Sequence, residues 1–299
     1  MKEIRDIIAE FARRHGEPLA LATLVRARGS SYRRPGARML IAADAHTVGS
    51  LSGGCLEEEV ARHAQDVIAT GQPLLLSFDT RLRYGCHGSI AIFIERASSE
   101  LFDNLAAAQC ERREFRVATV FEETESLGTR IAISPNEEFN GAFVQTIPPP
   151  MQLVVIGEGP DSAALRAFAT ILGWNVIETE EAASLPNEFD QWTAAVIKTH
   201  NYGRDYAALE KLLPHGLRYV ALLGPRRRRD QLLFALTEAA IPMRSRLFAP
   251  AGLDLGAEEP EEIALAIVAE IQATFAQAAS QSLRERRRPI HGEADVALA

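Results

Sequence analysis

The spacing of apolar residues changes along this chain, and the changes divide it. Ile4, Ile7, Ile8 and Phe11 recur at helical spacing with charged residues between them, so the opening stretch predicts an amphipathic helix. Beyond it the apolar runs shorten. Residues 19–27, 38–43, 74–78 and 89–95 read as strands, with further strands over 116–121 and 129–134. Residues 56–70 read as a helix stopped by Gly71, and residues 99–112 as another. From residue 151 the pattern turns regular. Leu153-Val154-Val155-Ile156 is an unbroken apolar run of the kind buried on both faces of a parallel sheet. A helix to Leu172 and a strand over 175–178 follow, then strands over 194–197 and 219–223, each leading into a helix. The last helix, 260–276, opens on Pro260 with Glu261 and Glu262 beside it, all favourable at a helix start.

The predicted fold is therefore α/β: an N-terminal mixed α/β domain followed by a C-terminal Rossmann-like, doubly wound parallel sheet with right-handed crossovers. Pro148, Pro149 and Pro150 mark the boundary, because consecutive prolines continue neither a helix nor a central strand. The expected domains are 1–147, a proline linker at 148–150, 151–280, and a polar tail at 281–299.

Composition narrows the classes of function. A net charge of -8 excludes a generally basic, nucleic-acid-binding surface. No apolar run approaches the ~18 residues a membrane span needs, and the amphipathic opening stretch is unlike a signal peptide. The expectation is a cytoplasmic protein acting on neither nucleic acid nor membrane. Cys55, Cys86 and Cys110 form no CxxC or zinc spacing, which predicts free thiols.

Two glycine-rich turns carry candidate chemistry. Gly157-Glu158-Gly159-Pro160-Asp161-Ser162 lies between a buried strand and a helix. Gly157 suits the tight turn and Gly159 a close backbone approach to a pyrophosphate. Ser162 stands where a third small residue packs, and Glu178 or Glu180 stands at the position of a ribose-binding acid. A Rossmann domain that keeps its shape without a ligand is the structural alternative, and Pro160 already removes one phosphate-facing N–H.

In the first half, Gly49-Ser50-Leu51-Ser52-Gly53-Gly54-Cys55-Leu56-Glu57 precedes a helix. Ser52, Gly53 and Gly54 can form a nest of backbone N–H groups, with Cys55 at the helix start where a thiolate is favoured. Glu57, Glu58 and Glu59 oppose that effect, and an inert cysteine at a helix start is the plain alternative. The loop through Ser30, Ser31 and Arg33 adds hydroxyls and guanidiniums suited to an anion. Cys86 sits in a glycine loop, Tyr84-Gly85-Cys86-His87-Gly88, whereas Cys110 reads as a bystander. Together these loops suggest a phosphorylated, sulfur-bearing ligand.

These stretches resemble the XdhC/CoxI family, accessory factors of xanthine dehydrogenase and related molybdenum hydroxylases. In the first half the resemblance runs through RGSSYRRPGARMLI, VGSLSGGCLEEEV and YGCHGSIAIFIE. In the second it runs through VVIGEGPDSAALRAFATILGW, IKTHNYGRDYAALEKLL, YVALLGPRRRRDQLL and APAGLDLGAEEPEEIALAIVAEI. Residues 122–146 carry no matching motif. The resemblance implies a carrier that holds molybdenum cofactor (molybdopterin) while sulfur from a cysteine desulfurase replaces its equatorial oxo group. The carrier then delivers the cofactor to the apo molybdenum hydroxylase, a xanthine dehydrogenase-like enzyme. It implies Cys55 as a contact to the cofactor or to molybdenum itself, a soft ligand for that metal. Cys86 matches the cysteine of a Gly-Cys-Gly-Gly pattern in which His87 here replaces a glycine.

On this reading the chain is a maturation factor rather than a metabolic enzyme. The alternatives are an NAD(P)-dependent oxidoreductase using the Gly157 turn, and a nucleotide sensor without chemistry. Cys55 in its glycine loop favours the carrier, because a dehydrogenase has no need of it. His200 and Asp205 follow a strand of the second half and are the candidates for a catalytic role there. The arginines 226–229 offer a phosphate clamp or a docking face, and Asp254 lies in a glycine-marked turn. The residues leave open whether the chain forms a homodimer.

Overall fold

A computed structural model describes residues 2–29, 31–79, 88–122, 127–132, 137, 139 and 141–285. The chain divides into two compact units between Pro149 and Pro150.

The first unit runs α1 (Lys2–Arg13), β1 (Leu19–Gly29), β2 (Arg38–Ala42), β3 (Thr47–Gly49), α2 (Glu57–Thr70), β4 (Leu74–Asp79), β5 (Gly88–Arg96), α3 (Ser99–Cys110), β6 (Phe115–Val120), β7 (Gly128–Ile131) and β8 (Ala142–Ile147). Five strands pair antiparallel in the order β3-β2-β1-β5-β4, and a smaller antiparallel sheet has the order β7-β6-β8. Alternation along β1 splits its side chains between two cores. Ala20, Ala22 and Leu24 join Met39, Ile41, Ile92 and Ile94 against Val60, Ala64 and Val67 of α2. Leu19 and Leu21 join Leu40 against Ile4 and Ile7 of α1 and Leu101, Phe102 and Leu105 of α3. With both faces covered, β1 is apolar at every position through Leu24 except Thr23, although the sheet is antiparallel. Each fully buried aliphatic side chain, Ile7 for instance, stabilises this packing by roughly 1.5–3 kcal/mol. Gly71 ends α2 in the left-handed conformation, its N–H bonding the Val67 carbonyl at 2.8 Å.

The second unit runs β9 (Gln152–Ile156), α4 (Pro160–Leu172), β10 (Asn175–Thr179), β11 (Thr193–Ile197), α5 (Tyr202–Leu212), β12 (Tyr219–Leu222), α6 (Arg226–Glu238), β13 (Leu247–Phe248) and α7 (Pro260–Phe275). The five strands are parallel, in the order β10-β9-β11-β12-β13. Leu153, Val155, Ala194, Val196, Tyr219 and Ala221 face α4 and α7. Val154, Ile156, Ala195, Ile197, Val220 and Leu222 face α5 and α6. This is the doubly wound, Rossmann-like layering the apolar runs predict. Strand order reverses at β9, so the crevice where such folds bind ligands opens at the carboxyl ends of β9 and β11. No described helix is long and apolar enough to cross a membrane.

Candidate functional site: two glycine turns

Between β3 and α2 the glycine–cysteine loop is built around Glu57. Its carboxylate accepts hydrogen bonds from Ser52 N (2.7 Å), Ser52 Oγ (2.6 Å), Leu51 N (3.1 Å), Leu56 N (3.1 Å) and Ser50 Oγ (3.1 Å). The Ser52 hydroxyl in turn accepts from the N–H groups of Gly54 and Cys55, both at 3.2 Å. Although desolvation opposes it, this donor set holds the Glu57 carboxyl at a pKa of about 2. The loop does concentrate N–H groups as its glycines predict, but the anion they hold belongs to the chain. Glu57 thus opposes no vacant nest; it fills one. From the sequence Glu57 is legible only as an acid beside the thiol, since its five-residue separation from Ser52 matches no capping pattern.

The closed loop leaves Cys55 outside. Its thiol is exposed, with Sγ 3.6 Å from Ser52 Oγ, and Gly53 and Gly54 beside it are exposed too. Cys55 borders a cavity of about 860 Å³ whose charged wall comprises Glu57, Glu58, Glu59 and Arg62. Three carboxylates against one guanidinium disfavour a phosphate there, while the thiol offers a soft ligand. Among the described residues no three His, Cys, Asp or Glu side chains converge as a metal centre. Arg33 does not reach this wall by any described contact: it pairs with Glu3 of α1 at 2.7 Å. Ser30, Cys86 and His87 lie outside the described residues. Cys110 is free and exposed at the end of α3.

In the second unit, the turn from Gly157 to Ser162 joins β9 to α4, with Pro160 opening the helix. Lys198, the residue after β11, ends under it fully buried. Its ammonium contacts the Glu158 carbonyl at 2.7 Å, Ser162 Oγ at 2.9 Å and Asp161 Oδ1 at 2.9 Å, which uses all its protons. Asp161, in the first turn of α4, is itself buried and turns its carboxylate to that ammonium. The glycines have internal reasons as well. A Cβ on Gly157 (φ 111°) would lie 2.7 Å from the Lys198 carbonyl oxygen, and one on Gly159 (φ 142°) 3.1 Å from the Lys198 ammonium. Both demands arise from the chain's own packing.

The other predicted residues separate. Glu178 lies within β10 and pairs with Arg166 at 2.9 Å. Glu180, just beyond the strand, hydrogen-bonds Glu158, which raises the Glu158 pKa. Arg204 grips both Glu180 (3.0 Å) and Glu181 (2.6 Å). His200 is exposed, in left-handed conformation (φ 54°). Asp205 is fully buried instead, accepting from Thr199 Oγ1 and pairing with Arg228, each at 2.5 Å. That commits Asp205 to tying the starts of α5 and α6 together rather than to orienting His200. Sequence reading does not single out Lys198, although a lone lysine closing the apolar run Thr193–Ile197 is a visible signal.

The first unit is thus an antiparallel α/β fold bearing an exposed cysteine loop, and the second a Rossmann-like parallel sheet. The family model described as "XdhC and CoxI family" matches residues 12–79, and that described as "XdhC Rossmann domain" matches residues 153–271. The chain belongs to the XdhC/CoxI family. Its curated relatives include a protein of Bacillus subtilis named as a probable xanthine dehydrogenase subunit, 29% identical over 85% of this chain and 92% of that protein. The molybdenum cofactor insertion chaperone PaoD of Escherichia coli is 25% identical over 86% of this chain and 83% of its own length. Among solved structures, one titled a xanthine dehydrogenase from Bacillus halodurans shares the fold, with a TM-score of 0.77 at 24% identity, covering 96% of this chain and 98% of that one.

Proposed function

We propose that this chain is a molybdenum-cofactor carrier that holds the cofactor for sulfuration and passes it to an apo molybdenum hydroxylase of the xanthine dehydrogenase type. One observation carries the reading. Cys55 projects from a loop whose backbone is fixed by the Glu57 carboxylate, and it borders a cavity of about 860 Å³, within the range of small-molecule sites. The names of the relatives, an insertion chaperone and a xanthine dehydrogenase subunit, support the same direction.

The residues fit the metal end of the cofactor. Cys55 offers the soft sulfur, and beside it the exposed Tyr32 ring lies against Gly53, where a Cβ would meet it at 3.7 Å. The carboxylates of Glu57, Glu58 and Glu59 direct a phosphate away from this wall. When bound, the cofactor supplies a molybdenum centre whose terminal ligand is exchangeable. The chain's own part is to present one thiol in a fixed place, with the desulfurase and the apo-hydroxylase as successive partners.

The charge at the Gly157 turn weighs against the oxidoreductase alternative. Pro160 lacks an N–H, and Asp161 adds a carboxylate to the first turn of α4. Glu158 and Glu180 add acid at the rim. The carrier reading is tested by transfer. Chain loaded with cofactor should activate a purified apo-hydroxylase, and chain loaded identically but carrying Cys55→Ser should activate it far less. Equal activation by the two would overturn the role of Cys55.

A further inference from the structure

The described cavities of the second unit include one at the amino ends of the strands, on the opposite edge of the sheet from the Gly157 turn. It measures about 710 Å³ and is bordered by Arg218, Arg244 and Arg246, with Glu270, Thr274 and Gln277 of α7 and its extension opposite. We propose that this cavity is a binding site for a small phosphorylated molecule. The inference stands independently of the cofactor-carrier reading, which concerns the first unit.

The arginines are placed by a rigid backbone. Arg244 N and Ser245 N both donate to the Leu213 carbonyl, at 3.0 and 2.8 Å, and Arg246 N donates to the Leu217 carbonyl at 3.0 Å. The buried Ser245 hydroxyl donates to Leu212 O and accepts from Leu217 N, both at 2.9 Å. This pins the segment before β13 to the segment before β12. With Ser245 turned inward, Arg244 and Arg246 are the exposed residues on either side of it. Arg246 lies over the Phe248 ring at 4.8 Å. Arg218 is held over Trp192 at 5.0 Å and Phe275 at 5.8 Å, and it donates to Gln191 Oε1. These aromatic contacts fix the guanidinium planes and leave N–H edges for an anion.

Charge accounting gives the sign of the ligand. The carboxylate among the described lining residues is Glu270, whose Oε2 already accepts from Tyr219 Oη (2.8 Å) and Gly252 N (2.9 Å). Those bonds hold Glu270 against the buried Tyr219 hydroxyl and give the carboxylate a structural task. Among the described residues, neither Arg244 nor Arg246 has a carboxylate within ion-pair distance. The carboxyl end of α7 adds about half a negative charge. Three guanidiniums against Glu270 and that half charge leave an excess of roughly one and a half positive charges, the sign that a phosphorylated ligand requires. Guanidiniums bind phosphate with paired N–H donors, and Thr274 and Gln277 add neutral donors on the facing wall.

The test is calorimetric titration of the intact chain with inorganic pyrophosphate at 0.15 M salt, run beside a phosphoserine peptide. The expected result is saturable pyrophosphate binding, tighter than the peptide. It should weaken at least tenfold in Arg244→Ala/Arg246→Ala and by a smaller factor in Thr274→Val. Both arginines are exposed, so the double variant should melt close to the parent. Arg113→Ala, in an exposed ion pair of the first unit, should bind pyrophosphate like the parent. Four results would overturn the proposal: no saturable binding by the parent, a loss under threefold in the double variant, an equal loss in Arg113→Ala, or tighter binding of the peptide.

Discussion

Replacing Glu57 by alanine removes the acceptor on which the Cys55 loop is built, and the structure sets the cost. Leu51 N and Ser52 N lose their acceptor, while Leu56 N keeps a weaker contact with Ser52 Oγ at 3.3 Å. Leu51 is 1% exposed and Ser52 7%, so water reaches their backbone poorly. A buried donor left unmade costs about 1–3 kcal/mol. Glu57 itself is partly exposed, which lets some water replace it and puts the expected loss at about 2–4 kcal/mol. For a unit of this size each kcal/mol moves the melting temperature by roughly 2–4 °C, so calorimetry should show a drop of roughly 5–15 °C. Glu57→Gln should fall between. Its amide oxygen can keep the bonds from Leu51 N and Ser52 N, but its NH2 would face the Leu56 N–H. Acid titration adds an independent check. The folded pKa of Glu57, about 2, lies below the ordinary 4.5, so its contribution is present above pH 4.5 and is lost as pH falls towards 2. The parent should therefore lose more stability across that window than Glu57→Gln does. A Glu57→Ala protein melting within about 2 °C of the parent, with an unchanged acid profile, would refute the internal-anion account of this loop.

Three further outcomes follow from the second unit. Lys198→Met leaves Asp161 buried without its partner and should cost about 3–5 kcal/mol by chemical denaturation, with Lys198→Met/Asp161→Asn recovering part of that loss. Gly157→Ala meets the Lys198 carbonyl and a positive φ together, so it should destabilise the unit whether or not any nucleotide is present; a parent-like melt would show that the glycine serves a ligand instead. Glu180→Gln should bring the Glu158 pKa down towards the ordinary carboxylate value in an NMR titration, because the neighbouring carboxylate that raises it is gone.

The layers of both units were legible because apolar runs of strand length alternate with helix-length segments, and Gly71 and Pro260 punctuate them where the structure needs a stop and a start. Strands β3, β8 and β13 were not legible. β13 is two residues long, β3 is three, and β8 is only half-buried, so none carries a usable period. The candidate site was legible as position and not as state. Glycine, serine and a following helix mark a turn rich in N–H groups, but what those groups hold depends on a side chain arriving from elsewhere. In one turn it is Glu57. In the other it is Lys198, just beyond β11 and more than thirty residues on, which ties the Glu158 carbonyl, Ser162 and Asp161 from beneath. Asp205 shows the same limit: beside His200 in sequence it suggests a catalytic pair, and only the fold brings Thr199 and Arg228 to it.

Carriage of molybdenum cofactor by the first unit through Cys55, as proposed, can be read from equilibrium binding. The intact chain and its Cys55→Ala variant would be incubated with isolated molybdenum cofactor under anaerobic conditions. Molybdenum and pterin retained after gel filtration would then be measured against protein. The account predicts near-stoichiometric retention by the parent. Cys55→Ala should retain at least tenfold less while melting within about 1 °C of the parent, because the exposed thiol contributes little to the fold. Equal retention by the two proteins would contradict the assignment of Cys55, and absence of retention by the parent would contradict the carrier function itself.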